Sequence, residues 1–148
     1  IIRELVGFRP TGQGTALSEA LRYLVGVNKK RTTCFLLSDL VNNPADNGAL
    51  EDALKIASSR HDIMAVRVFD RRDAELPDVG IIELRDAETG AMEWVDTSSR
   101  RVRRFWAESY AEHRDKVCSL LRHHHVDIAE VATDGDYVVE LIKMFKQR

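Results

Sequence analysis

Three prolines, two cysteines and 7% aromatic residues occur in the 148 residues of this chain, and its formal charges nearly cancel. Each shortage excludes something. Two cysteines cannot form a disulfide framework; Cys34 falls in an apolar run and Cys118 in a helical pattern, so both are expected to be reduced core thiols. Twenty-two basic against 24 acidic residues, a net charge of -2, leave no electrostatic footprint for nucleic acid or an anionic membrane. No apolar run approaches the roughly 20 residues that span a bilayer, and no signal-like segment opens the chain, so a cytoplasmic location is expected. Neither an internal repeat nor a low-complexity tract is present. The chain opens on Ile1 rather than Met, and is expected to be a piece of a longer protein.

A hydrophobic content of 44% over this length supports one domain with a single core, residues 1–148. Its organising stretch is Thr32-Thr33-Cys34-Phe35-Leu36-Leu37-Ser38-Asp39. It carries no charge before its last residue, a pattern that predicts a strand buried on both faces. A second such run, Ile63 to Phe69, closes on Asp70, and a third, Asp127 to Thr133, closes on Asp134. Helical spacing joins them: Leu17, Leu21, Leu24 and Val25 before the first; Leu50, Ala53, Leu54, Ile56 and Ala57 between the first and second. A long helix over about 99–123 carries Val102, Phe105, Trp106, Tyr110, Val117, Leu120 and Leu121 as a core stripe. Tyr137, Val138, Leu141, Ile142 and Phe145 mark a closing amphipathic helix, and Ile1, Ile2, Leu5 and Val6 a turn or two of helix at the start. Strand, helix, strand is a crossover unit and predicts a parallel sheet. Ile81–Leu84 and Met92–Val95, joined by a turn-rich stretch, predict a β-hairpin lying off that sheet or extending its edge.

Parallel strands point one way, so Asp39, Asp70 and Asp134 are expected along one edge, where ligands gather in sheets of this kind. An aspartate there can equally cap the next helix or shape a turn. Mg²⁺ takes one or two carboxylates completed by hydroxyls and waters, and Thr15 with Asp39 is the pair best suited to that chemistry. A threonine opening a helix is commonly only an N-cap, but Gly12 and Gly14 would let the loop backbone approach the sheet edge closely.

Several ordered motifs carry a resemblance: Gly14-Thr15-Ala16-Leu17; Phe35-Leu36-Leu37-Ser38-Asp39; Arg60-His61-Asp62-Ile63 leading to Val66-Arg67-Val68; Glu75-Leu76-Pro77-Asp78-Val79-Gly80; Trp94-Val95-Asp96-Thr97-Ser98; and Thr133-Asp134-Gly135-Asp136-Tyr137-Val138. Together they are similar to the bacterial family of domain of unknown function 58, whose members resemble von Willebrand factor type A domains. The likeness runs over nearly the whole chain. It implies an α/β fold in three layers: a mostly parallel, Rossmann-like sheet with helices on both faces and a β-hairpin insertion. In that fold a metal ion-dependent adhesion site is built from an Asp-x-Ser-x-Ser loop, a threonine and a later aspartate; Thr15 matches the threonine and Asp39 the aspartate. The Asp-x-Ser-x-Ser motif does not occur in this sequence. The chain is therefore expected to be the carboxyl-terminal part of the domain, truncated at its N-terminus and lacking its first strands. Mg²⁺ is implied for the complete domain, and weak binding at best is expected for Thr15 and Asp39 alone.

Two classes of function follow. The resemblance implies a non-catalytic protein-interaction module, working with a MoxR-type AAA+ ATPase in assembly or chaperone-like roles. The alternative is a metal-dependent hydrolase or phosphotransferase using Asp39, Asp70 and Asp134; Ser38 has no base evident in the sequence to pair with. Asp136 reads as a helix cap. His123-His124-His125 cannot converge on a metal from consecutive helical positions and reads as a solvated helix end. The loop around Gly12 and Gly14 lacks the Lys-Ser or Lys-Thr of a phosphate-binding loop. Arg100, Arg101, Arg103 and Arg104 read as the wet face of the long helix, with contact to an acidic partner as the second use. A strand at 33–38 without its neighbour would be an open edge, so self-association of the chain is expected.

Overall fold

The computed structural model describes residues 2–8, 14–41, 46–86 and 90–147, with the side chains of Glu4 and Leu5 left aside. Gly12 and the turn 87–89 lie outside the described residues. The elements in chain order are α1 (Ile2–Gly7), α2 (Leu17–Val27), β1 (Thr33–Ser38), α3 (Asn47–Arg60), β2 (Asp62–Phe69), α4 (Arg71–Ala74), β3 (Ile81–Arg85), β4 (Met92–Asp96), α5 (Arg100–His123), β5 (Asp127–Ala132) and α6 (Tyr137–Lys146).

A parallel sheet forms in the order β1-β2-β5, with Thr33 opposite Asp62 and Met64 opposite Asp127 at the two ladder starts. The hairpin β3-β4 is a separate antiparallel pair, off the main sheet. Alternation along β2 divides the core. Ile63 and Ala65 face a large cluster with Leu17 and Leu21 of α2, Leu50, Ala53, Leu54 and Ala57 of α3, and Leu121 of α5. Met64 and Ala129 face the other way, onto Met144 and Leu141 of α6. Helices therefore cover both faces of a parallel sheet, unequally: three on one side and α6 on the other.

That inequality corrects several expectations. The strand buried on both faces is β2, with Ile63 to Arg67 all buried, and not β1. In β1, Thr33, Phe35 and Leu37 are exposed while Cys34, Leu36 and Ser38 are half-buried. Both its faces are apolar, so periodicity could not tell which one was covered. β1 is an edge among the described strands, and its outer face meets α6 where the Phe35 and Phe145 rings stack edge-on, 6.3 Å apart. Cys34 is accordingly half-buried rather than a core thiol, whereas Cys118 is buried; both are free. The helix stripes are also narrower than their sequence spacing. Phe105 is 70% exposed, Tyr137 61%, and Ile56, Ile142 and Phe145 about half.

Candidate functional site

The carboxyl end of β1 closes on a tight turn. The Ser38 hydroxyl accepts the Leu40 N–H at 3.0 Å and donates to Asp39 Oδ1 at 3.2 Å, and the Val41 N–H donates to the same carboxylate oxygen at 3.1 Å. Leu40 sits at φ +62, in the left-handed region, with its side chain 2% exposed in the main core. Holding a leucine there costs about 1–2 kcal/mol. Burying its side chain contributes about 1.5–3 kcal/mol, enough to offset the strain. Leu40 is thus an anchor beneath the turn, and its carbonyl oxygen lies 3.4 Å from His113 Nε2 of α5. Asp39, one residue earlier, stays exposed, and its Oδ2 has no hydrogen bond among the described residues.

Thr15 lies half-buried in the loop that enters α2. Gly14 before it has φ +83, which glycine adopts without steric cost. Ala16, not Thr15, occupies the N-cap and makes no side-chain cap bond. Asp46, ahead of α3, supplies the missing acceptor instead: it takes the Ser18 N–H at 3.0 Å and the Ser18 hydroxyl. Leu17 and Leu40 belong to the same core cluster, so the segments that carry Thr15 and Asp39 are fixed by shared packing.

Asp70 and Asp134 lie at the same end of the sheet with other tasks. Asp70 caps α4 through the Arg72 N–H at 2.9 Å, and Asp134 is ion-paired with Arg71 at 3.0 Å. In register, Ser38 stands opposite Arg67 and Ala132 opposite Phe69, so β2 separates Asp39 from Asp134 by two strand spacings, about 10 Å. The three carboxylates do not form one cluster. Among the described residues no group of three His, Cys, Asp or Glu side chains can hold a metal ion. The His123-His124-His125 run is not simply solvated: His125 turns the chain at φ +56, and His124 Nε2 is buried without a partner among the described residues. Asp136 caps α6, accepting the Val138 and Val139 N–H groups.

Sequence reasoning passed over a buried ionic network. Arg67, 4% exposed in the central strand, donates to Glu130 Oε1 at 3.2 Å and to the Tyr110 hydroxyl at 2.6 Å. Its guanidinium lies over the rings of Phe69 and Tyr110, 4.8 and 5.3 Å from their centroids. Arg114 of α5 grips both oxygens of the same glutamate. These bonds from Arg114 hold the Glu130 carboxyl below its ordinary range, against the opposing effect of burial. Burial, with Glu130 adding to it, pushes the Cys118 thiol up. The signal was available: beyond the aspartate that opens each strand, Arg67 is the one charge in β2 and Glu130 the one charge in β5.

The family described as Protein of unknown function DUF58 matches residues 1–116 of this chain. The chain belongs to the DUF58 family. Within the DUF58 match fall the Asp39 turn, Thr15, Arg67 and Arg114; Glu130 lies beyond it. Uncharacterized protein MAV169 of Mycobacterium avium is 30% identical over 142 residues, covering 94% of this chain and 79% of that protein. Uncharacterized protein Mb1516 of Mycobacterium bovis and Uncharacterized protein Rv1480 of Mycobacterium tuberculosis are each 28% identical over 141 residues, 94% of this chain and 42% of their own length. The DUF58 chain therefore spans less than half of those two proteins. No solved structure matches it.

Proposed function

We propose that this chain is a non-catalytic, von Willebrand factor A-like protein-interaction module of the cytoplasm that meets its partner at the carboxyl edge of the sheet. The observation that carries this is the Asp39 turn: a carboxylate held outward, with one oxygen open among the described residues, on a backbone whose left-handed Leu40 is locked into the core. Local strain of this kind persists where packing over-determines it, and it concentrates at functional positions. Thr15 and Asp39 are the residues that would hold Mg²⁺. Both offer the hard oxygen donors that this ion takes, and two donors suffice for a hydrated ion held loosely. Bound there, the ion would supply a positive charge able to accept a partner's carboxylate.

The partner we infer is a MoxR-type AAA+ ATPase or its client, in an assembly or chaperone-like role. The hydrolase alternative is disfavoured by the geometry, since Asp70 is committed to α4, Asp134 to Arg71, and β2 lies between Asp134 and Asp39. Co-sedimentation of the purified chain with such an ATPase from the same genome, with and without Mg²⁺, tests the reading. Expected is association that needs Mg²⁺ and is lost in Asp39→Ala while the variant stays folded, with melting lowered only by the lost turn bonds to Ser38 and Val41. Association indifferent to both, or none at all, overturns it.

A further inference from the structure

The start of α5 is built against helix stability. Arg100 and Arg101 occupy its first turn, no acidic residue balances them there, and Ser99 at the N-cap makes no side-chain cap bond. Cations at this end oppose the helix dipole. Arg104 adds a like charge one turn on from Arg100. Neither Arg100 nor Arg101 has an ion-pair or hydrogen-bond partner among the described residues, and Arg104 is paired only with Glu108, at 2.8 Å. Amid them Phe105 is 70% exposed. Departures from local rules without a compensating contact mark positions kept for function.

The opposite side of the same turns is pinned. Arg103 pairs with Asp78 at 2.9 Å and donates to the Thr97 and Ser98 carbonyls, while Trp106 Nε1 donates to the Asp73 carbonyl at 2.7 Å. Arg100, Arg101, Arg104, Phe105 and Glu108 therefore project from a fixed support, lining an open groove of about 590 Å³. The Trp106 bond to the residue before the end of α4 places this groove at the carboxyl end of the sheet, the same end as Asp39.

We propose that this groove docks an acidic protein segment, carboxylates on Arg100, Arg101 and Arg104 and an apolar side chain on Phe105. Charge complementarity selects the occupant. Arginine forks match carboxylates bidentately. A polyanionic nucleic acid is disfavoured because the chain carries a net charge of -2 and Glu108 lines the groove beside the arginines. This deepens the interaction reading by naming a partner chemistry, and it uses residues apart from the metal-ligand pair.

The test is fluorescence anisotropy with three probes: a labelled glutamate-rich peptide containing phenylalanine, its Glu→Gln counterpart, and a single-stranded oligonucleotide of equal length. Expected is binding of the acidic peptide alone, at least about tenfold weaker when salt rises from about 0.05 to 0.3 M. The variant Arg100→Ala/Arg101→Ala/Arg104→Ala should lose about tenfold or more and Phe105→Ala a lesser amount, with melting unchanged or raised because the dipole clash is removed. Asp39→Ala should bind the peptide normally, which separates failure of this proposal from failure of the metal-edge reading. No binding, equal binding of the Glu→Gln peptide, tighter binding of the oligonucleotide, or an affinity untouched by the triple variant would each overturn it.

Discussion

Arg67 of β2 and Glu130 of β5 stand opposite each other in the parallel register, and their side chains join at 3.2 Å on the face where α5 packs. Arg114 reaches the same carboxylate from α5, so one glutamate ties the helix to two strands. An arginine this deeply buried is tolerated because Glu130 pairs its charge, the Tyr110 hydroxyl takes a second donor, and the Phe69 and Tyr110 rings face the guanidinium. Removing one partner would leave a buried charge alone, which is far more costly than the pair is stabilising.

Glu130→Gln is expected to destabilise the fold by about 3 kcal/mol at neutral pH, the order found when one member of a buried pair is removed. Its carboxyl is held below the ordinary value of 4.5 by the Arg114 hydrogen bonds, with Arg67 adding to the effect. A folded pKa below the unfolded one gives stability that is full above the unfolded value and lost as the pH falls through the folded one. Urea melts taken as the pH falls below about 4.5 check this. The parent should lose stability in that window and the variant should respond less; equal pH dependence would refute the assignment.

Leu40 allows a comparison of strain with burial. At an ordinary φ, glycine would be less stable than alanine by about 1 kcal/mol. At φ +62 alanine keeps the left-handed penalty and glycine escapes it. Leu40→Gly is therefore expected to be at least as stable as Leu40→Ala, both below the parent by about 2–5 kcal/mol for the emptied core site. A Leu40→Gly melt clearly lower than that of Leu40→Ala would remove the strain from the account of this turn.

Calorimetric titration of the chain with Mg²⁺ is expected to show an affinity no tighter than about 0.1–1 mM, abolished in Asp39→Ala. Turnover of a phosphoester is expected to be absent with or without the ion. Tight, Asp39-dependent binding, or hydrolysis lost in Asp39→Ala, contradicts this.

The open side of β1 is expected to recruit a second copy. The strand has no charge and no proline to discourage pairing, Leu37 is 67% exposed, and an apolar cavity of about 280 Å³ between α2 and β1 opens beside it. Two-fold antiparallel pairing centred on Leu36 would set Phe35 opposite Leu37 of the second copy. Light scattering across a dilution series should find a dimer that Leu37→Lys converts to monomer. A monodisperse monomer of the parent chain at every concentration would sink the idea.

The strands, the long helix, the hairpin and the aspartates at strand ends were legible because each announces itself locally: a run of apolar residues, a 3.6-residue spacing, a turn-rich joint. Thr15 and Asp39 stood out by type and position alone. Harder to see were the Asp46 carboxylate that bonds Ser18 from a point 28 residues away and the left-handed Leu40, since neither has a local signature. Arg67 and Glu130 were visible as misfits in apolar strands, but their partnership needed the strand register.

The sequence by itself determined the order and kind of the elements, since backbone propensity and side-chain periodicity act over a few residues. It also set the carboxyl-edge position of Asp39, which follows from parallel strands sharing one direction. Tertiary structure alone decided which apolar faces are covered. β1 and α6 have side chains as greasy as those of β2, and they remain half-exposed because burial depends on what packs opposite. It alone decided, too, that Asp70 and Asp134 are spent on α4 and Arg71, because a carboxylate's availability is set by the donors that the fold brings to it.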